Sequence, residues 1–489
     1  MDKVPPFLDI GSFQTTTSYN ILPFRFDRLK DGRELLVNDV GDFCIVKAGT
    51  VESILDNRLS FSDDPETFTT LLSKFMITQS NLDYVTDLLA IKTRTKRSYL
   101  DSFTQLHIFV ITLRCEHTCN YCQVSRVTSE QGSFDMSLTH LDLAIEHMLK
   151  SPAPHVTMEF QGGETLLAFD SVKYGVLAAK EKASLVGKKI TFVICTNLSL
   201  IDEEKLDFIH EHNILVSTSL DGPSTVHDNN RHVKDHSSYD KTIKGISLAR
   251  KRIGADNVSA LMTTTDITLQ YPVEIVDEYF NQGFRNIFLR PISPYGFAVR
   301  SKSKNKYDME RFMEFYKKAL DRILWYNKKG HFFAESFSCI FLKKILTPFP
   351  VGFVDIMSPM GGIVKAVVFN YDGYVYSSDE SRMLAEMNDF TFRIGHLDHD
   401  DYNELFYGDK SYDLVEESII ESQPGCVDCA LVPYCGSDPV YNHATQGRFW
   451  GYKPQSGYCQ RNMGIINHLF ELMEDPDNMR VFEKWISIR

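Results

Sequence analysis

From residue 105 to about residue 330 the chain alternates short apolar runs with amphipathic stretches, and this alternation limits the possible folds more than any other feature. The strand-like runs are Leu106 to Leu113, Val156 to Gln161, Ile190 to Thr196, Ile214 to Leu220, Val258 to Thr263 and Asn286 to Arg290. Helical stretches separate them; in Ser137 to Leu149 the apolar residues Leu138, Leu141, Ile145, Met148 and Leu149 share one face. Pro272 suits the first turn of a further helix and Gly283 its C-terminal cap. Six repeats of strand then helix predict parallel strands, since each helix returns the chain across the sheet. They point to a full or partial barrel or to a doubly wound sheet.

The flanking regions read differently. Glu34-Leu35-Leu36-Val37 and Phe43-Cys44-Ile45-Val46 bracket the turn-rich Asn38 to Asp42, which predicts two strands joined by a turn. Helical patterns follow at Val51 to Leu55 and at Pro65 to Phe75, giving a small α+β unit. The basic run Lys92, Arg94, Lys96 and Arg97 reads as a solvated linker. Beyond the helix-rich stretch that starts at Asp308 to Lys329, residues 350 to 460 carry strand fragments such as Val364 to Asn370, many Gly and Pro residues, and four of the ten cysteines. Asn462 to Met473 reads as an amphipathic closing helix. The expected divisions are 1–100, 101–330 and 331–489.

Composition removes several function classes. Lys plus Arg number 52 against 65 Asp plus Glu, so the net charge of -13 argues against nucleic acid as a partner. Met1-Asp2-Lys3-Val4-Pro5-Pro6 lacks the apolar segment of a signal peptide, and no run reaches the roughly 18 apolar residues of a membrane span. A cytoplasmic protein without a membrane partner is expected. In a reducing compartment ten cysteines are not a disulfide framework. Cys44, Cys195 and Cys339 stand alone and read as core, while the other seven cluster.

Cys115, Cys119 and Cys122 fall on one loop directly after the first predicted strand. Three thiolates can hold three irons of a 4Fe-4S cube and leave the fourth iron to an external ligand, whereas structural zinc usually takes four protein ligands in two separated pairs. Cys426, Cys429, Cys435 and Cys459 supply four more thiols, whose spacing alone suits either tetrahedral zinc or a fully ligated iron-sulfur cluster.

The first loop, Cys-x3-Cys-x2-Cys with Tyr121 before its last cysteine, resembles the signature of the radical S-adenosylmethionine (SAM) superfamily. The resemblance continues in order at successive strand ends: Gln161-Gly162-Gly163-Glu164, then Thr196-Asn197, then Ser217 to Pro223 followed by His227 to Arg231. It implies an α/β fold with a partial (β/α)6 TIM-type barrel, an N-terminal α+β unit and a C-terminal SPASM-like iron-sulfur subdomain. It also implies SAM and a SAM-binding 4Fe-4S cluster as cofactors, with Tyr121, Gly162, Gly163, Glu164, Thr196, Asn197, Ser219 and Arg231 around SAM. Gly162 and Gly163 are expected to let the backbone reach the methionyl amino group that Glu164 positions. Ser219 is expected at the ribose or carboxylate, and Arg231 at the carboxylate. The second cysteine set resembles the auxiliary-cluster half of the SPASM domain and implies one auxiliary 4Fe-4S cluster. A further cluster would need cysteines near Met360, Ser378 and Pro439, which are absent. Asp379 falls where some anaerobic sulfatase maturases place a base; an ordinary turn position is the other reading.

Leu22 to Phe26 with Leu36 to Gly41, and Cys435 to Tyr441 with His443 to Gly447, are similar to the His-Xaa-Ser system radical SAM maturases. That resemblance implies oxidative modification, such as crosslinking, of a ribosomally made precursor peptide. Its partners would be that peptide, a reductant such as flavodoxin or ferredoxin, and a second radical SAM maturase. The N-terminal unit would add a leader segment as an extra strand or serve as scaffold. Two alternatives stand beside this reading: a sulfatase-type maturase oxidising Cys or Ser, and a non-enzymatic, zinc-stapled peptide-binding protein.

Overall fold

The computed structural model describes residues 19–296 and 307–487, so the reading at Met1 to Pro6 lies outside the described residues. The chain divides into two compact units. The first combines the described part of 1–99 with 341–351 and 420–435; the second holds the described parts of 100–340 and 436–489 with 352–419. Cys426, Cys429 and Cys435 therefore belong to the first unit and Cys459 to the second.

In the first unit Phe24–Arg28, Glu34–Asn38 and Phe43–Val46 form an antiparallel sheet in that order. The central strand is fully buried. Its turn closes on Asn38, whose Oδ1 accepts from the backbone N–H groups of Val40 (3.1 Å) and Asp42 (2.9 Å), a side-chain mimic of a backbone turn. Helices Thr50–Leu55 and Pro65–Ser73 bring Ile54, Phe68 and Leu71 onto Leu36 and Cys44. Cys44 is core, with its thiol pushed up to about 12 by burial. The basic run is not a linker: it forms the last turns of helix Leu82–Arg97. Lys92 pairs with Asp42, Arg97 pairs with Glu421, and Lys96 Nζ donates to Lys344 O at 3.2 Å. Basic side chains also suit a helix C-terminus, where the macrodipole is negative.

The second unit is built on an eight-stranded sheet. Its strands are β1 (Leu106–Thr112), β2 (His155–Gly162), β3 (Lys189–Cys195), β4 (Leu215–Ser219), β5 (Val258–Leu261), β6 (Ala366–Phe369), β7 (Tyr374–Tyr376) and β8 (Arg393–His396). The order is β5-β4-β3-β2-β1-β6-β7-β8, with β1 to β6 parallel and β7 and β8 antiparallel. Helices α1 (Leu138–Lys150), α2 (Phe169–Val186), α3 (Glu203–Glu211), α4 (Ser238–Ile253) and α5 (Pro272–Asn281) follow the first five strands. Ser137 caps α1 by accepting from His140 N, and Pro272 opens α5 as expected.

The mixed α/β class with a parallel central sheet is as expected, but the sixth predicted strand is elsewhere. Asn286–Ile287 pairs with Ala334–Glu335 in a separate two-stranded sheet. The parallel place on the far side of β1 goes instead to β6, out of the expected C-terminal region. This leaves β1 central and explains its almost uniformly apolar run, in which only Leu106 is not fully buried. In β2 and β3 burial alternates: Val156, Met158, Phe160, Phe192 and Ile194 are buried, whereas Glu159, Gln161 and Cys195 are only partly so. The concave face is thus polar near the strand ends.

Candidate active site

The loop after β1 is anchored at both ends. Arg114 pairs with Asp135 at 2.7 Å and donates to Ser129 O (3.1 Å) and Leu167 O (2.9 Å). Thr118 and Cys119 pair antiparallel with His232 and Arg231, which stitches the loop to the segment after β4. Cys115 is buried, Cys119 and Cys122 are half-buried, and all three line a cavity of about 250 Å³.

The strand ends form the opposite wall. Gly162 ends β2 and Gly163 follows it, Thr196 and Asn197 follow β3, and Ser219 ends β4; each lines the cavity. The glycines have a reason of their own. A Cβ at Gly162 would lie 2.3 Å from Thr112 O, and one at Gly163 would lie 2.4 Å from Arg114 O. The close approach they permit is to the chain leaving β1, and Gly163 N donates to Thr112 O at 2.8 Å there. Glu164 lies behind them, fully buried and not part of the lining. Its carboxylate accepts from Thr196 Oγ1 (2.6 Å), Asn197 N (2.8 Å) and Leu166 N (2.9 Å), so it organises the neighbouring strand end. Burial and the nearby charge of Glu116 raise its pKa.

Tyr121 and Arg231 meet through Asp221, which lies within the Ser217 to Pro223 stretch and carries no motif signal of its own. Tyr121 Oη donates to Asp221 Oδ2 at 2.7 Å and Arg231 Nε donates to the same oxygen at 3.0 Å. The guanidinium carbon sits 5.3 Å from the Tyr121 ring centre. Burial alone would disfavour the Arg231 charge, but Asp221 outweighs it and holds the guanidinium protonated in the cavity wall. A second buried network lies behind the cysteine loop. His117 engages Glu116 Oε1 (2.9 Å) through Nδ1 and Ser238 Oγ (2.8 Å) through Nε2, while Asn197 Nδ2 donates to Glu116 Oε1 at 2.9 Å. Cys115, Glu116 and His117 stand close enough to suggest a metal group, but the latter two are already committed to these bonds.

Cys195, read as core, in fact lines the cavity, where its thiol meets Glu159 and Ser217 and is pushed up by burial and the Glu159 charge. The two-residue period places position 195 on the same face as Gln161, a signal that the apolar run concealed. Asp379 reaches the cavity as the first residue of helix Asp379–Ala385, and Arg290 closes it on the same side. Asp379 Oδ1 is buried without a hydrogen-bond partner, 3.6 Å from the Arg382 guanidinium. Burial raises its pKa. The positions considered for a further cluster have other tasks: Met360 is buried, Ser378 caps the Asp379 helix, and Pro439 opens helix Pro439–Gln446.

The donor set fits a cluster with one open iron. Three soft thiols face one cavity, and burial pushes Cys119 up to about 12, so a bare thiolate is disfavoured there and a cation-bound one is not. The wall from Gln161 to Arg231 is polar, with Gln161, Thr196, Asn197, Ser219 and Arg231 in the lining. Within the first unit, Cys429 N bonds Cys426 O at 3.0 Å and Lys344 Nζ holds Cys435 O at 2.6 Å. In the second, Cys459 lies on helix Gly457–Met473 with its sulfur 3.7 Å from Met463 Sδ.

A parallel α/β sheet with a three-cysteine loop after its first strand and a polar cavity at the strand ends suits an enzyme whose chemistry uses a bound cluster. Residues 109–279 match the Radical SAM superfamily, which indicates an enzyme with a radical SAM domain, and the chain is similar in sequence to anaerobic sulfatase maturases. That domain implies a 4Fe-4S cluster and SAM. The chain is 31% identical to a serine-type anaerobic sulfatase-maturating enzyme of Bacteroides thetaiotaomicron over 34% of its own length and 39% of the relative's. Its fold resembles anSMEcpe with bound AdoMet (TM-score 0.64, 20% identity, 79% of this chain and 100% of that one). It also resembles Streptococcus suis SuiB bound to its precursor peptide SuiA (TM-score 0.53, 14% identity, 90% of this chain and 100% of that one). No helix of the described residues is long and apolar enough to cross a membrane.

Proposed function

We propose that this enzyme oxidises, and thereby crosslinks, a residue of a ribosomally made precursor peptide, in the manner of the His-Xaa-Ser system maturases that its terminal stretches resemble. The observation that carries the reading is Asp379, whose carboxylate stands in the wall of the same cavity as Cys115, Cys119 and Cys122, with one buried oxygen that accepts no hydrogen bond and is ion-paired to Arg382 at 3.6 Å. Cys115, Cys119 and Cys122 would hold the SAM-binding cluster; with SAM it supplies a 5'-deoxyadenosyl radical that takes one hydrogen atom from an unactivated C–H bond. The chain's own tasks are to seat the peptide beside the strand ends, to keep water out, and to accept the proton released as a closed-shell product forms. Asp379 would do the last of these. Cys426, Cys429, Cys435 and Cys459 would hold an auxiliary 4Fe-4S cluster, whose chemistry there is to accept an electron. A flavodoxin or ferredoxin supplies reductant, and a second radical SAM maturase acts on the same peptide.

The fold likeness to SuiB, whose structure contains its precursor peptide, supports a peptide substrate. Sequence identity to a sulfatase-maturating enzyme favours a second reading, oxidation of a Cys or Ser in a sulfatase. Mass spectrometry separates the two. The reconstituted enzyme is incubated with SAM and dithionite, once with the small peptide encoded beside its gene and once with a sulfatase-derived Ser or Cys peptide. Loss of two hydrogens confined to the first peptide is expected; oxidation of only the second would replace the proposal with the sulfatase reading.

A further inference from the structure

Away from the cavity, α1 and the antiparallel β7–β8 pair bring two histidines and an aspartate together at the rim of the sheet. His140 lies in the first turn of α1, His396 ends β8, and Asp398 follows in the next turn. His140 Nε2 lies 3.3 Å from Asp398 Oδ1, and His396 Nδ1 lies 3.7 Å from Asp398 Oδ2. All three potential ligand atoms fall within 4.8 Å of one another. In a tetrahedral site with bonds of about 2.0–2.1 Å to nitrogen and oxygen, neighbouring ligand atoms stand about 3.3 Å apart. The two histidine–aspartate distances, 3.3 and 3.7 Å, are close to that edge.

The hydrogen bonding points the same way. His396 Nε2 sits 3.2 Å from Asp372 O, an acceptor, so Nε2 carries the proton and Nδ1 keeps the lone pair. A ligating histidine ordinarily donates its second N–H to a carbonyl or carboxylate in this way. Asp398 N also approaches His396 Nδ1, at 3.2 Å, so that contact would have to yield to a cation. His140 Nδ1 is buried with no hydrogen-bond partner, leaving Asp398 as that ring's polar contact. Between the rings lies Gly373 (φ +87°), where a Cβ would come within 2.8 Å of the His140 ring and 2.9 Å of the His396 ring. The turn that supplies the Asp372 carbonyl therefore also leaves room for both imidazoles to converge. Asp398 has 44% of its side chain exposed, which leaves an entry path and a water for the fourth vertex.

We propose that His140, His396 and Asp398 form a binding site for a divalent transition metal of zinc type, clamping α1 to the β7–β8 pair. It is separate from the cysteine sets in ligand chemistry as well as in residues. The test uses holoenzyme reconstituted with iron and sulfide, so that the thiols are occupied, then freed of loose metal and titrated with zinc alone. One zinc per chain is expected, bound at least ten-fold more weakly by His140→Ala and by His396→Ala, with unchanged iron content and unchanged 5'-deoxyadenosine formation. Asp398→Asn, an exposed change that spares the packing, should weaken binding as well. Zinc X-ray absorption should show nitrogen and oxygen at about 2.0–2.1 Å. A sulfur shell at about 2.3 Å, equal binding by all variants, or no zinc uptake would overturn the proposal.

Discussion

Thr196 Oγ1 donates to Glu164 Oε1 at 2.6 Å, which ties the loop after β2 to the end of β3 at a point buried from solvent. Two backbone N–H groups complete the shell around that carboxylate. Glu164→Gln keeps the shape but sets a donor against a donor at one of these contacts. The expected loss is about 1–3 kcal/mol of stability, the range for leaving a buried hydrogen-bonding group unsatisfied. Thermal melts of the reconstituted protein check this; an unchanged midpoint would show that the site relaxes around the amide.

Each single substitution Cys115→Ala, Cys119→Ala or Cys122→Ala should abolish SAM cleavage, because each leaves one iron without its thiolate. Chromatography of 5'-deoxyadenosine after reduction reads the outcome. Wild-type protein should carry about eight irons, and the triple variant about four. Wild-type cleavage in any single variant would sink the assignment of the loop.

Asp379→Asn should leave uncoupled 5'-deoxyadenosine formation in place while cutting modified peptide about 10²-fold or more, the usual scale of a lost general base. The pH dependence has a definite sign. Burial raises the Asp379 pKa, so the working carboxylate form is present at higher pH and is lost as pH falls through that raised value. The ratio of product to 5'-deoxyadenosine should therefore drop on acidification in the wild type and stay flat in Asp379→Asn. A flat wild-type ratio removes Asp379 from the proton path.

The cysteine loop, the Gly-Gly-Glu turn and the strand-end polar residues were legible in the sequence because each is a local pattern at a strand end, where the fold must place a site. Partners distant in the chain were not. β6 pairs with β1 across more than 250 residues, and no local pattern distinguishes it from the other strand fragments near it. The reason for Gly162 was also hidden, since the backbone it must clear belongs to Thr112. Lys92, Arg94, Lys96 and Arg97 looked like a solvated run because the partners of Lys92 and Arg97, Asp42 and Glu421, come from other segments of the same unit. Asp221 was concealed by a turn-like sequence that any capping aspartate would share.

Phe26 stands 44% exposed on the edge strand Phe24–Arg28 of the first unit. If that edge receives a leader segment as an added strand, an apolar side chain on it contributes to affinity. Phe26→Asp should weaken precursor binding, read by fluorescence anisotropy with a labelled leader, and leave 5'-deoxyadenosine formation unchanged. Equal affinity in the two proteins would leave the unit as scaffold.

Cys429→Ala should separate SAM cleavage from productive modification. Hydrogen abstraction requires only the cluster on the first loop, whereas a closed-shell product requires the carbon radical to lose one more electron. An auxiliary cluster that takes Cys429 as a ligand would accept it, and its potential depends on ligation and surroundings. Burial raises the Cys429 thiol, so without a bound cation this position holds a neutral group, and its sulfur contributes as a ligand only when metallated. Removing it should destabilise that cluster, so solubility and an intact first-cluster spectrum are the controls. With both retained, 5'-deoxyadenosine should still form while the mature peptide, about two mass units lighter for a two-electron oxidation, falls sharply. Wild-type yield of product per 5'-deoxyadenosine would make the second cysteine set structural and send the electron by another route.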